Sequence, residues 1–158
     1  MAWTQLETPI GRLQVESDGE SIIALHFNGA LDDSQRDDSM SLLATAAMQL
    51  QQYFSGERNS FDLPLLASGS EFQKRVWTAL QEIPFGETRS YKQLAEAIGD
   101  PAASRAVGSA NGANPIPVII PCHRVIAADG SLGGYSGGLE IKQRLLEIER
   151  AMPQGRLL

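Results

Sequence analysis

In the first third of the chain, apolar residues alternate with polar ones. Leu13 and Val15 flank Gln14, the period-two pattern of a half-buried strand. Ser17-Asp18-Gly19 reads as a turn, and Ile22-Ile23-Ala24-Leu25-His26-Phe27 as a second strand. Residues 28–39 are polar and acidic and predict a loop with mobility of its own. From about Ser41 to Phe54 the period becomes helical. Leu43, Ala46, Ala47, Leu50 and Phe54 share a side, and Gly56 supplies a stop. Residues 1–66 therefore read as a small α+β domain with a supporting role.

Leu66-Ala67-Ser68-Gly69-Ser70 marks a boundary. Ser70 suits the cap of a helix carrying Phe72, Val76, Trp77 and Leu80 on one face, which Pro84 and Gly86 stop. Ser90-Tyr91-Lys92-Gln93 fits a capping box, and its helix runs to about Ile98 before Gly99. Asp100 is the expected cap of a further helix with Pro101 in its first turn, continuing through Ala102, Ala103, Ser104, Arg105, Ala106 and Val107. Two short helices joined by a tight Gly-containing turn make a helix-turn-helix. The second has small side chains that permit close approach to another surface, with Arg105 as its one long cation. By shape alone, two core helices that bind nothing are the commoner outcome. A C-terminal helix from Leu139 to about Arg150 closes a mostly helical domain of residues 70–150, and residues 152–158 form a loosely held tail.

The length suffices for one sizeable core or two small ones. No apolar run approaches the roughly 20 residues that span a bilayer, and the N-terminus does not read as a signal peptide. A single cysteine makes no internal disulfide, so a reducing, cytoplasmic setting is expected. With only His26 and His123 beside it, a zinc site of Cys and His is not expected. The net charge of −6 speaks against nucleic acid at first sight. Its distribution changes that picture. Residues 1–69 carry three basic and ten acidic side chains, residues 70–158 ten basic and nine acidic. The back half is therefore free to approach phosphate, with few contacts and modest affinity. The net acidity predicts soluble, monomeric behaviour.

The candidate chemistry lies in Ile116-Pro117-Val118-Ile119-Ile120-Pro121-Cys122-His123-Arg124-Val125-Ile126. An apolar, β-branched run delivers Cys122 at a kink. A lone buried cysteine is commonly just a small hydrophobe. However, His123 and Arg124 are polar groups inside an apolar run and need a reason to be there. A thiol is mostly protonated at neutral pH, and a neighbouring imidazole or cation raises its thiolate fraction. A nucleophile–base–orienter chain needs a carboxylate, for which the C-terminal helix offers Glu140, Glu147 and Glu149. Gly130 to Gly138 form a glycine-rich loop, either a flexible turn or a surface of backbone N–H groups against a flat ligand with Tyr135 as a wall.

Pro121-Cys122-His123-Arg124-Val125, with Asn114-Pro115 before it and Tyr135-Ser136-Gly137-Gly138-Leu139 after it, resembles the O6-alkylguanine-DNA alkyltransferase family. The resemblance spans about residues 70–150, with a weaker likeness before them. It implies an α+β fold with a ribonuclease H-like N-terminal domain and a mostly helical C-terminal domain. The implied partner is double-stranded DNA carrying O6-alkylguanine. The implied reaction is irreversible, single-turnover transfer of the alkyl group to Cys122 after nucleotide flipping, without metal or organic cofactor. The resemblance also implies individual roles. His123 is the base, acting through a bridging water, and Glu149 orients it. Tyr91 supports charge on the departing guanine, and Asn114 bridges the DNA-binding helices and the active site. Val125 offers a backbone carbonyl and Ser136 a backbone N–H to the base. Arg105, on a helix with Ala102, Ala103 and Ser104, fills the gap left by the flipped nucleotide.

Departures from the family pattern accompany these matches. The Cys and His residues of the N-terminal zinc site found in some relatives are absent, and Ala110-Asn111-Gly112-Ala113 lacks an Arg that some relatives carry there. Cys122 distinguishes the chain from the branch that has tryptophan in its place and only marks lesions. The rival readings are a DNA-binding protein without chemistry, a Cys–His hydrolase and a purely structural role. The range of alkyl groups, activity on O4-alkylthymine and cooperativity on DNA stay open.

Overall fold

Three antiparallel strands, β1 (Ala2–Thr8), β2 (Gly11–Ser17) and β3 (Ile22–Phe27), form the N-terminal sheet in the order β1-β2-β3. The computed structural model describes residues 1–29 and 31–150, so the expected loose tail lies outside the described residues. Leu6 stands opposite Leu13, and Val15 opposite Leu25, and all four are buried. Helix α1 (Ser41–Phe54) packs on the sheet through Leu43, Ala46 and Leu50. Its last turn buries Tyr53 rather than the expected Phe54, which is half-buried. The strand pattern of residues 1–8 is not apparent in the sequence because Thr4, a polar residue, is buried between Trp3 and Leu6.

Thr4 is buried because its hydroxyl donates to Asp38 at 2.7 Å, which satisfies the group that burial would otherwise strand. The same contact corrects the expectation of a mobile loop. The Trp3 indole N–H donates to the Asp32 carbonyl at 2.9 Å, the Asp37 N–H donates to the Trp3 carbonyl at 2.9 Å, and the Arg36 guanidinium lies 5.5 Å from the Trp3 ring centre. Residues 32–38 are thus fastened to β1 despite their polarity.

The chain forms two compact units that divide between Ser68 and Gly69. In the second, α2 (Glu71–Leu80) begins with a complete capping box between Ser70 and Gln73 and buries Val76, Trp77 and Leu80. A two-residue strand, β4 (Arg89–Ser90), leads into α3 (Tyr91–Ala97), which has the same box between Ser90 and Gln93. Then α4 (Ser104–Gly112) packs against both α2 and α3, and α5 (Leu139–Ile148) follows β5 (Val125–Ile126), the parallel partner of β4.

The start of α4 corrects the sequence reading. Asp100 does not cap it. Gly99, at φ +80°, ends α3 in the left-handed region, its N–H donating to Glu96 and the Asp100 N–H to Ala95, the paired bonds of a Schellman motif. Asp100 thereby belongs to the end of α3. The Ala103 N–H bonds back to Asp100 at 3.0 Å, so Asp100-Pro101-Ala102-Ala103 is a turn. Ala102 and Ala103 precede the helix, and Ser104 and Arg105 open it. The helix-turn-helix is retained with a longer turn.

Candidate active site

Two reversals of the backbone deliver Cys122. The Ile119 N–H donates to the Pro117 carbonyl at 2.9 Å across Val118, whose φ is +71°. This is a γ-turn of the rare, strained hand, and a β-branched residue there has a cost of order 1–3 kcal/mol. The Cys122 N–H then donates to the Ile120 carbonyl at 2.8 Å across Pro121, at φ −81° and ψ 63°, an inverse γ-turn. Asn114 clamps the loop. Its Oδ1 accepts from the Ile116 N–H and its Nδ2 donates to the Ile120 carbonyl, both at 2.9 Å. Cys122, His123 and Arg124 follow in one short 3-10 turn, all buried.

The thiol is 2% exposed. Burial pushes its pKa up, opposed by hydrogen bonds from the Asn114 and Tyr135 side chains and by the nearby Lys142 charge. Cys122 is therefore held as a neutral thiol, in surroundings that would support the thiolate once formed.

His123 is fully buried, and its Nε2 lies 2.7 Å from Glu149 Oε2. A carboxylate only accepts, so Nε2 carries the proton and Nδ1 keeps a lone pair. Nδ1 is buried with no hydrogen-bond partner. Burial holds the imidazole below its ordinary pKa, against the attraction of Glu149. Arg124 fixes the carboxylate from the other side, Nε to Oε1 at 2.8 Å and Nη2 to Oε2 at 3.1 Å, while its Nη1 donates to the Ile83 carbonyl at 2.6 Å. Burial alone would raise the Glu149 pKa, but His123 and Arg124 outweigh it and hold it at about 2. The carboxylate stays ionised and the imidazole neutral, which leaves Nδ1 as the basic atom.

Among the three candidate carboxylates, Glu140 and Glu147 are exposed and Glu149 is buried. At the C-terminal cap of α5 it continues a buried stripe of Lys142, Leu145 and Leu146. Lys142 was not apparent as a site residue. It is fully buried, and its ammonium donates to the Val125 carbonyl at 2.6 Å and the Gly134 carbonyl at 3.1 Å, tying β5 to the glycine loop. Burial lowers its pKa to about 8. A lysine at a helical apolar position, three and four residues before leucines, was the signal for it.

A cleft of about 280 Å³ opens on Cys122 and is lined by Tyr91, Gly108, Asn111, Tyr135 and Ser136, among others. Tyr91 is half-buried, and burial raises its pKa against a hydrogen bond from the Gly134 backbone. Gly133, at φ +72°, lies so close that a Cβ there would stand 2.7 Å from the Tyr91 hydroxyl. The structure thus gathers Tyr91, Cys122, Tyr135 and Ser136 around one cleft, with Asn114, His123 and Glu149 buried beside the cysteine turn and Val125 held by Lys142. Arg105 stands apart, exposed on the first turn of α4, with Ala102 exposed and Ala103 and Ser104 half-buried before and beside it. Asn111, which also lines the cleft, was not apparent from sequence either. A larger groove of about 520 Å³ on α2 and the end of α3 shares no lining residue with this cleft and contains no cysteine. No group of three or more metal-ligating side chains occurs among the described residues, and no helix there is long and apolar enough to cross a membrane.

Comparison with known proteins gives matches along nearly the whole chain. Residues 71–151 match the 6-O-methylguanine DNA methyltransferase, DNA binding domain, and residues 1–67 the ribonuclease-like domain of the same name. The chain is 47% identical over 153 residues to a methylated-DNA–protein-cysteine methyltransferase of Methanosarcina acetivorans, covering 94% of this chain and 98% of that one. It is 43% identical over 157 residues to the constitutive enzyme of that name in Bacillus subtilis, covering 94% of each. The crystal structure of Mycobacterium tuberculosis OGT in complex with DNA superposes with a TM-score of 0.88 at 43% identity, over 98% of this chain and 96% of that one.

Proposed function

The chain belongs to the 6-O-methylguanine DNA methyltransferase family, and on that premise we propose that Cys122 takes the alkyl group directly from O6-alkylguanine in double-stranded DNA. Its activity is that of a methylated-DNA–protein-cysteine methyltransferase, and it serves DNA repair by alkyl transfer. The observation that carries the assignment to Cys122 is its place in the lining of the cleft, next in sequence to a buried imidazole with a free lone pair.

Duplex DNA hides the lesion from in-line attack, so the nucleotide rotates out at a cost of a few kcal/mol, less where damage has weakened pairing. The helix-turn-helix presents small side chains to the duplex, and the exposed Arg105 enters the stack to replace the base. In the cleft the thiol proton passes through water to His123 Nδ1. The sulfur lone pair forms the S–C bond as the C–O bond breaks, and that electron pair leaves with the guanine. Tyr91 donates to the purine ring and the Ser136 N–H to its oxygen, so charge developing on the leaving group meets fixed donors. The Lys142 ammonium supports the thiolate and holds the loop that carries Ser136. The product is a thioether, which no residue of the site hydrolyses, so each chain acts once.

Peptide mapping after incubation with a duplex containing O6-methylguanine tests the assignment. The expected result is a methyl group on the peptide containing Cys122 and on no other. Methylation at any other residue would overturn it.

A further inference from the structure

We infer that Asn111 is a specificity-determining residue whose side-chain oxygen accepts a hydrogen bond from the 2-amino group of the flipped O6-alkylguanine. This rests on the proposed function and extends it to how the base is read.

Asn111 sits in the last turn of α4, 4% exposed, and lines the cleft with Cys122, Tyr91 and Tyr135. Its amide nitrogen lies 3.3 Å from the Cys122 carbonyl oxygen. That carbonyl can only accept, which fixes the orientation of the amide: Nδ2 faces the cysteine and Oδ1 is the remaining atom. Oδ1 is buried with no hydrogen-bond partner. A buried acceptor left unpaired is costly and rare in native structures. Gly108 and Gly112 have no side chains to offer, the Tyr135 hydroxyl is engaged with the Cys122 sulfur, and the Lys142 ammonium is already committed to Val125 and Gly134. The flipped base can supply the missing donor.

The chemistry of the lesion identifies that donor. Alkylation of the guanine oxygen removes the proton from N1, which becomes an acceptor. The exocyclic 2-amino group is then the only N–H donor left on the base's pairing edge. Asn111 joins that amine to the backbone of the reactive cysteine through one planar amide, so recognition of the edge also sets the base relative to the sulfur.

The test compares single-turnover methyl transfer from two duplexes, one with O6-methylguanine and one with O6-methylhypoxanthine, which lacks the 2-amino group. For the unmodified chain, loss of the amine slows transfer by about tenfold or more, because a buried acceptor built for it stays unpaired. Asn111→Leu, similar in size but apolar, reacts with the two lesions at rates within about twofold of each other. A purely structural Asn111 predicts instead that Asn111→Leu slows both lesions equally and keeps the preference for the amine, which would overturn the inference. So would an unmodified chain indifferent to the amine. If Asn111→Leu does not fold, the carbonyl carbon of 13C-labelled Asn111 is read in Cys122→Ser. It shifts downfield with the O6-methylguanine duplex and not with the O6-methylhypoxanthine duplex, and equal shifts would overturn the inference. No transfer at all from O6-methylguanine would overturn the proposed function itself.

Discussion

His123 Nε2 stands 2.7 Å from Glu149 Oε2, and neither side chain has any exposed surface. Since Arg124 grips the same carboxylate, Glu149 has two duties: it selects the imidazole tautomer and neutralises a buried guanidinium.

Glu149→Gln therefore fails on both counts. A glutamine can donate as well as accept, so the tautomer is no longer fixed, and transfer should slow by roughly 10²–10⁴-fold, the range for loss of general base action. The Arg124 charge is left uncompensated, which costs about 3–5 kcal/mol. Single-turnover rates and urea unfolding measure the two effects separately. A variant that keeps its rate would remove Glu149 from the chemistry.

The same pair sets an acid limit. The Glu149 pKa is held at about 2 against an ordinary 4.5. Its stabilisation is full above about pH 4.5 and is lost as the pH falls toward about 2, on the order of 3 kcal/mol in total. His123, lowered by burial, acts in the same direction: the fold favours the neutral ring, and stability falls as pH drops below the ordinary 6.5. Unfolding between pH 7 and 2.5 should show the loss in the unmodified chain and a shallower slope in Glu149→Gln. Parallel curves would contradict the assignment.

Lys142 is buried with its ammonium on the Val125 and Gly134 carbonyls and a pKa of about 8. Its charge is one of the groups that oppose the upward pull of burial on the Cys122 thiol. In Lys142→Met, alkylation of Cys122 by iodoacetamide at about pH 7, where the ammonium is charged, should slow severalfold. An unchanged rate would restrict Lys142 to tying the Val125 and Gly134 carbonyls together.

Gly133→Ala tests how closely the glycine loop is fitted. The new methyl would meet the Tyr91 hydroxyl at 2.7 Å, and φ is +72°. The backbone term alone costs roughly 1–2 kcal/mol, and the clash must displace either the loop or Tyr91. Methyl transfer is expected to slow far more than the thermal midpoint falls, because the displaced groups line the cleft. Wild-type rates in this variant would show that the loop position is immaterial.

The parts of this protein that were legible in its sequence are those dictated by local chemistry. The Ser70 cap, the Ser90 capping box, the stops at Gly56 and Gly99, and the bounds of β3 and α1 depend on neighbours a few residues away. What escaped depends on distant partners. β1 hid behind Thr4, whose hydroxyl is satisfied by Asp38. The start of α4 was displaced because Asp100 is claimed by the end of α3. The residues alone left Glu140, Glu147 and Glu149 open and only the family resemblance singled out Glu149; its contact with Arg124, 25 residues away in sequence, is visible only in the fold. Lys142 and Asn111 were absent from the sequence reading because each looks like an ordinary polar residue until its helix is seen to bury it. The motif around Cys122 was readable, but the two γ-turns that shape it were not.

Intact-protein mass spectrometry during titration with a duplex containing one O6-methylguanine tests the central claim most directly. The account predicts one added methyl group per chain, saturating when lesion and protein are equal, and none in Cys122→Ala. Tight, selective binding of the lesion with no added mass on the unmodified chain would contradict it and leave recognition without transfer.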